Sequence, residues 1–152
     1  MTLRSRMLGA LLLTGCVGGS MTQRLSGPSA APAPDAFACV RDQVKAVKFT
    51  QSSYDTDALR INARKFDETV RRPDVTFRRL VDRLEIQVQP GSGAEMSRIQ
   101  VEAKTFGEFV NQRGPTEVQE ATSDTARAAA QTIIDKCSDA GQAAGDSVVP
   151  PA

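Results

Sequence analysis

Three cysteines, eighteen carboxylates and nineteen lysines and arginines are the side chains with which this 152-residue chain could do chemistry. It has no histidine, so the commonest general base and the commonest metal ligand are both absent. The neighbouring carboxylates Asp67 and Glu68 would point to opposite faces of an extended chain and could not converge on one substrate atom. Asp35, Asp55 and Asp57 stand where helix caps and turns are expected, and Asp supplies both. Gly91-Ser92-Gly93 reads as a hairpin loop, since a lone G-x-G is no phosphate site. No local signature arranges a serine and a lysine as a dyad. The residues thus predict no catalytic group and no cofactor.

The cations are unevenly placed. Residues 60–83 hold eight basic side chains against four acids, whereas residues 95–146 hold nine acids against five bases. Net charge is +1 overall, so the chain carries no global footprint for nucleic acid. The asymmetry suits a local face for an anionic lipid, lipopolysaccharide or an acidic partner, with Arg60 and Arg64 as candidate partner-face residues. The competing account is a solvated sheet face whose charges pair across strands.

The N-terminus carries an address. Arg4 and Arg6 precede an apolar stretch, Met7 to Leu13, too short to span a bilayer and suited to a signal peptide. Leu13-Thr14-Gly15-Cys16 resembles the lipobox of bacterial lipoproteins. The resemblance covers these sixteen residues. It implies cleavage of 1–15 and attachment of diacylglycerol to the Cys16 thiol, so the membrane is a partner. Val17 stands where that family places Asp for inner-membrane retention, which implies the outer membrane, facing the periplasm or the cell surface. Loss of Arg4 and Arg6 leaves 17 cations against 18 carboxylates. Residues 16–34 are rich in Gly, Ser, Ala and Pro and are expected to form a disordered tether; residues 141–152 are expected to form a disordered tail. With Cys16 lipidated and the chain exported, Cys39 and Cys137 are expected to form a disulfide. Two cysteines without histidine make a zinc site untenable.

The elements that position these side chains lie in residues 35–140. Asp35 can cap a helix whose apolar face is Phe37, Val40, Val44 and Val47. Lys48–Gln51 suits a short strand, and Ser52–Asp57 a turn. Leu59, Ile61 and Ala63 alternate with polar residues, as do Leu84, Ile86 and Val88, and Ile99, Val101 and Ala103, which predicts strands with one buried face. The last two make a hairpin around Pro90–Ala94, continuing toward Phe106 and Phe109 with a bulge or bend at Gly107. Residues 75–83 fit helix or strand, and adjacency to clear β pattern favours strand. Ser123 can cap a helix over Asp124–Cys137 with Ala126, Ala130, Ile133 and Cys137 on one face. The expected fold is α+β, with the N-terminal and C-terminal helices on one face of an antiparallel sheet of about four strands. In element order alone this resembles helix-grip-type domains of envelope lipoproteins, including those of the outer-membrane barrel-assembly machinery.

Two classes of function follow. One is a non-catalytic binding or scaffolding lipoprotein whose partner is another envelope protein, met by the open sheet face. The other is a surface-displayed enzyme or enzyme inhibitor without a recognisable motif.

Overall fold

Alternating apolar residues at Ile61–Ala63, Leu84–Val88 and Ile99–Ala103 do assemble one buried sheet face. The structure is a computed structural model and describes residues 19–93 and 96–143. Its elements are β1 (Thr22–Ser29), α1 (Ala33–Ala46), β2 (Thr50–Asp55), β3 (Arg60–Asp67), β4 (Phe77–Pro90), β5 (Ser97–Asn111), β6 (Gly114–Glu120) and α2 (Asp124–Ala143). All strands pair antiparallel in one sheet, in the order β1-β5-β4-β3-β2. β6 also pairs with β5. β1 covers β5 from Ser97 to Lys104, and β6 covers the same edge from Thr105 to Asn111.

Both helices pack on one face of this α+β sheet. Phe37, Val40 and Val44 of α1 and Ala126, Ala130, Ile133 and Cys137 of α2 join Ile61, Leu84, Ile86, Val88, Ile99 and Val101 in a single buried cluster. The alanine stripe lets α2 come close to its neighbours, because small side chains leave little between backbones. Cys39 and Cys137 form a disulfide with Cα atoms 5.8 Å apart, within the ordinary range. It joins α1 to α2 across 98 residues of sequence.

Several expectations need correction. The sheet has six strands, not about four. Residues 22–29, expected as tether, are β1; TQRLSGPS has little apolar surface of its own, and pairing with β5 orders it. Gly27 explains how α2 lies against it: a Cβ there would stand 2.7 Å from Ile134 Cγ2 and 2.9 Å from Ser138 Oγ. Helix α1 begins at Ala33 with Pro32 as its N-cap and no side-chain cap. Asp35 therefore lies in the first turn, where a negative charge suits the helix dipole. β2 occupies Thr50–Asp55, later than expected, so Ser52 and Ser53 are strand residues. Leu59 ends the turn at φ +50° and is partly buried, one step before β3. α2 continues past Cys137 to Ala143, into the stretch expected as tail. The signal segment, Cys16, residue 94 of the hairpin loop and the tail from residue 144 lie outside the described residues.

The ambiguous segment is strand, and its helix-like spacing has a cause. Phe77 pairs with Phe109 and Leu80 with Gly107, with a register irregularity between Phe77 and Arg79. The extra residue puts Phe77, Leu80 and Leu84 on one face at spacings of three and four. Gly107 itself lies in unbroken register. A side chain there would strike Glu120 and the Phe109 ring.

Candidate binding face

The face of the sheet away from the helices is a trough of about 890 Å³. Strand alternation places Arg60, Asn62 and Arg64 of β3, Arg83, Glu85 and Gln87 of β4, and Gln100, Glu102 and Lys104 of β5 on it. Register then sets these side chains in rows across the strands. Arg60, Gln87 and Gln100 form one row, and Asn62, Glu85 and Glu102 the next. The third row is Arg64, Arg83 and Lys104, three cations directly opposite one another. Like charges in that position repel.

Most of the repulsion is answered locally. Lys104 is ion-paired with Glu102 and reaches Glu85 at 3.4 Å. Arg24 of β1 adds a 2.6 Å bond to Glu102. Hydrogen bonds from Lys104, then from Arg24, hold the Glu102 carboxyl below its ordinary pKa, and Glu102 raises that of Lys104. Arg83 reaches Glu117 of β6 at 2.5 Å. Arg60 and Arg64 differ. Among the described residues neither has a carboxylate partner. Arg60 makes a 3.5 Å contact with Gln87 Oε1, and Arg64 lies 5.1 Å from the centre of the Phe66 ring. The sequence-predicted pair is thus brought together on the trough, as its two cations without ion pairs.

Beyond the cation row the face is closed. Val81 is 1% exposed although it lies away from the helices. Its register partners Phe66 and Phe106 flank it. Arg79 stacks on Phe66 at 3.7 Å and Arg83 on Phe106 at 4.7 Å. Arg79 also bridges Glu68 at 3.2 Å and the buried Glu108 at 3.1 Å. Such stacked guanidiniums cover apolar surface while keeping their charge satisfied.

The other candidates resolve into structural roles. Asp67 accepts hydrogen bonds from the Thr69 hydroxyl and backbone N–H, and Asp74 does the same with Thr76; both carboxyls are held below their usual pKa by these bonds. Glu68 pairs with Arg79 instead, so Asp67 and Glu68 do not converge. Asp55 accepts the N–H groups of Asp57 and Ala58 in the turn before β3. A buried polar group unforeseen from sequence is Asp82, on the helix side. It accepts from Thr105 Oγ1 at 2.6 Å and Ser123 Oγ at 2.8 Å. Ser123 Oγ in turn accepts the Ala126 N–H at 3.0 Å, the expected N-cap of α2. Among the described residues no group of three His, Cys, Asp or Glu side chains gathers to hold a metal, and no helix is long and apolar enough to cross a membrane.

Sequence alternation alone could have found Arg83, which is out of phase with Leu84 and Ile86. It could not have found Glu117, because β6 has little apolar pattern.

The fold defines a two-layer α+β domain with an open, charged sheet face. No family model matches the chain, and no curated protein matches it. Among solved structures it is similar to a solution NMR structure from Thermobifida fusca. The identity is 17% over 81% of this chain and 89% of that one, with a TM-score of 0.36. A likeness at that level carries no argument about function.

Proposed function

We propose that this protein is a membrane-anchored envelope lipoprotein, lipidated at Cys16. It is a non-catalytic binding module that takes an anionic partner on its open sheet face. The anchor rests on the lipobox-like order Leu13-Thr14-Gly15-Cys16. The Cys39–Cys137 disulfide supports it, since disulfides belong to oxidising compartments outside the cytosol.

One observation carries the binding role. Within the trough, where Arg24, Arg83, Glu85 and Glu102 are ion-paired, Arg60 and Arg64 stand on β3 without ion pairs, beside the repelling pair Arg83 and Lys104. An acidic group arriving there relieves the row and displaces no internal partner. The partner is an acidic segment of another envelope protein, since the trough is broad and open rather than a closed cleft for a small molecule.

The test is a photo-crosslinker at Gln100, used with the lipidated protein in native membranes. The double reversal Arg60→Glu, Arg64→Glu should abolish the crosslinked species. The reversal Lys45→Glu, on the exposed face of α1, should leave it. Crosslinks that survive the double reversal would refute the assignment of the face.

A further inference from the structure

The first described residue lies close to Cys16 in the chain. Only Val17 and Gly18 separate Cys16 from Gly19, the first described residue. Three residues of fully extended chain reach at most about 11 Å. From Gly19 the chain is held against the end of β6. The Gly19 backbone is so near residue 121 that an added Cβ would stand 3.0 Å from Ala121 Cβ. The Thr122 N–H donates to the Ser20 carbonyl at 2.9 Å. Gln119 Nε2 donates to the Met21 carbonyl at 2.8 Å and to Thr22 Oγ1 at 3.1 Å. The chain therefore enters the sheet at the junction where β1 and β6 meet along β5.

We propose that this β1/β6 edge is the side of the domain that lies against the lipid headgroups. The inference rests on lipidation of Cys16. With that anchor, the acyl chains hold the junction within about 11 Å of the membrane surface, and no long tether lets the domain turn freely. The chemistry of the edge agrees. Met21 and Val118 flank the junction at 49% and 55% exposure, apolar side chains left open among the described residues. The nearby carboxylates are already paired: Glu117 with Arg83, Glu120 with Arg72 at 2.5 Å, and Asp124 with Arg127. Among the described residues, the strands β1 and β6 thus offer no unpaired negative charge to repel anionic headgroups.

The orientation has a consequence for the trough. The sheet stands on its β1/β6 edge, so the open face looks sideways along the membrane. β2, at the opposite edge, lies about 19 Å further out, four strand spacings away. A partner reaching Arg60 and Arg64 comes from the side, in reach of other membrane-bound proteins.

The experiment uses full-length lipidated protein in vesicles of phosphatidylethanolamine and phosphatidylglycerol with a nitroxide on a fraction of the headgroups. Single cysteines, Met21→Cys, Val118→Cys and Tyr54→Cys, carry a bimane label. All three sites are exposed, so the fold tolerates them, and circular dichroism checks it. Quenching should be several-fold stronger at 21 and 118 than at 54 on β2. The mass of the N-terminal peptide is read on the same samples. Acylated Cys16 with equal quenching at 54 and 118 would overturn the orientation alone. An unacylated Cys16 would overturn the anchor and the orientation with it.

Discussion

Opening the Cys39–Cys137 bridge tests how this small core is held. The bridge spans 98 residues, and the chain-entropy model gives about 4.7 kcal/mol as the ceiling for a loop near 100 residues. Native disulfides of small exported domains contribute about 2–5 kcal/mol when measured. The double substitution Cys39→Ala, Cys137→Ala should therefore lower unfolding free energy by about 2–5 kcal/mol, a large share of the ordinary 5–15 kcal/mol. Cys137 is fully buried while Cys39 is partly exposed, so the alanines also remove packed atoms, chiefly from α2. Urea unfolding of three forms separates the two effects: oxidised, reduced with both thiols kept, and doubly substituted. Reduction is done in denaturant, because the buried sulfur is shielded in the native state. The reduced form should show most of the loss and a larger m-value, since its unfolded chain exposes more surface. A reduced protein as stable as the oxidised one would refute the crosslink as the source of stability. A loss confined to the alanine variant would assign it to packing instead.

Two further expectations concern the edge strand and the trough. Gly27→Val puts side-chain atoms where Ile134 and Ser138 already stand; overpacking should cost about 1–3 kcal/mol by thermal unfolding, and an unchanged midpoint would mean β1 does not pack under α2. Glu102 is held below its ordinary pKa by Lys104 and Arg24, so its contribution is present above the unfolded carboxylate pKa of about 4.3 and is lost as pH falls through the lower folded value. Glu102→Gln should therefore show a smaller stability loss than the wild type between pH 6 and pH 3 in urea titrations; identical pH profiles would show that the ion pairs contribute nothing.

The central elements were legible because their side chains carry the period. β3, β4 and β5 alternate a buried and an exposed side, so Ile61, Leu84, Ile86, Ile99 and Val101 announce themselves. α2 shows its alanine stripe and the Ser123 cap, which the structure keeps. The outer strands gave no such signal. TQRLSGPS of β1 and GPTEVQE of β6 have one large aliphatic residue each. Their order comes from backbone hydrogen bonds offered by the edge of β5, and a strand held that way needs little apolar pattern. Glycine and proline, read as signs of a tether, serve close packing at Gly27 and a blunted edge at Pro28.

The chain's own order of residues determined the class of fold and the buried face, because period is a local property; the Cys39–Cys137 pairing was expected only with Cys16 set aside for lipid. Which charges stand alone was decided by tertiary structure. Arg60 and Arg64 lack ion pairs while Arg83 has one because Glu117 arrives on β6, 34 residues along the chain, and Lys104 reaches across the strands to Glu85 on β4. The point where the chain meets the sheet was likewise set by β6, whose Gln119 and Thr122 hold residues 20–22. Both depend on strand register across dozens of residues, a quantity no local window of sequence contains.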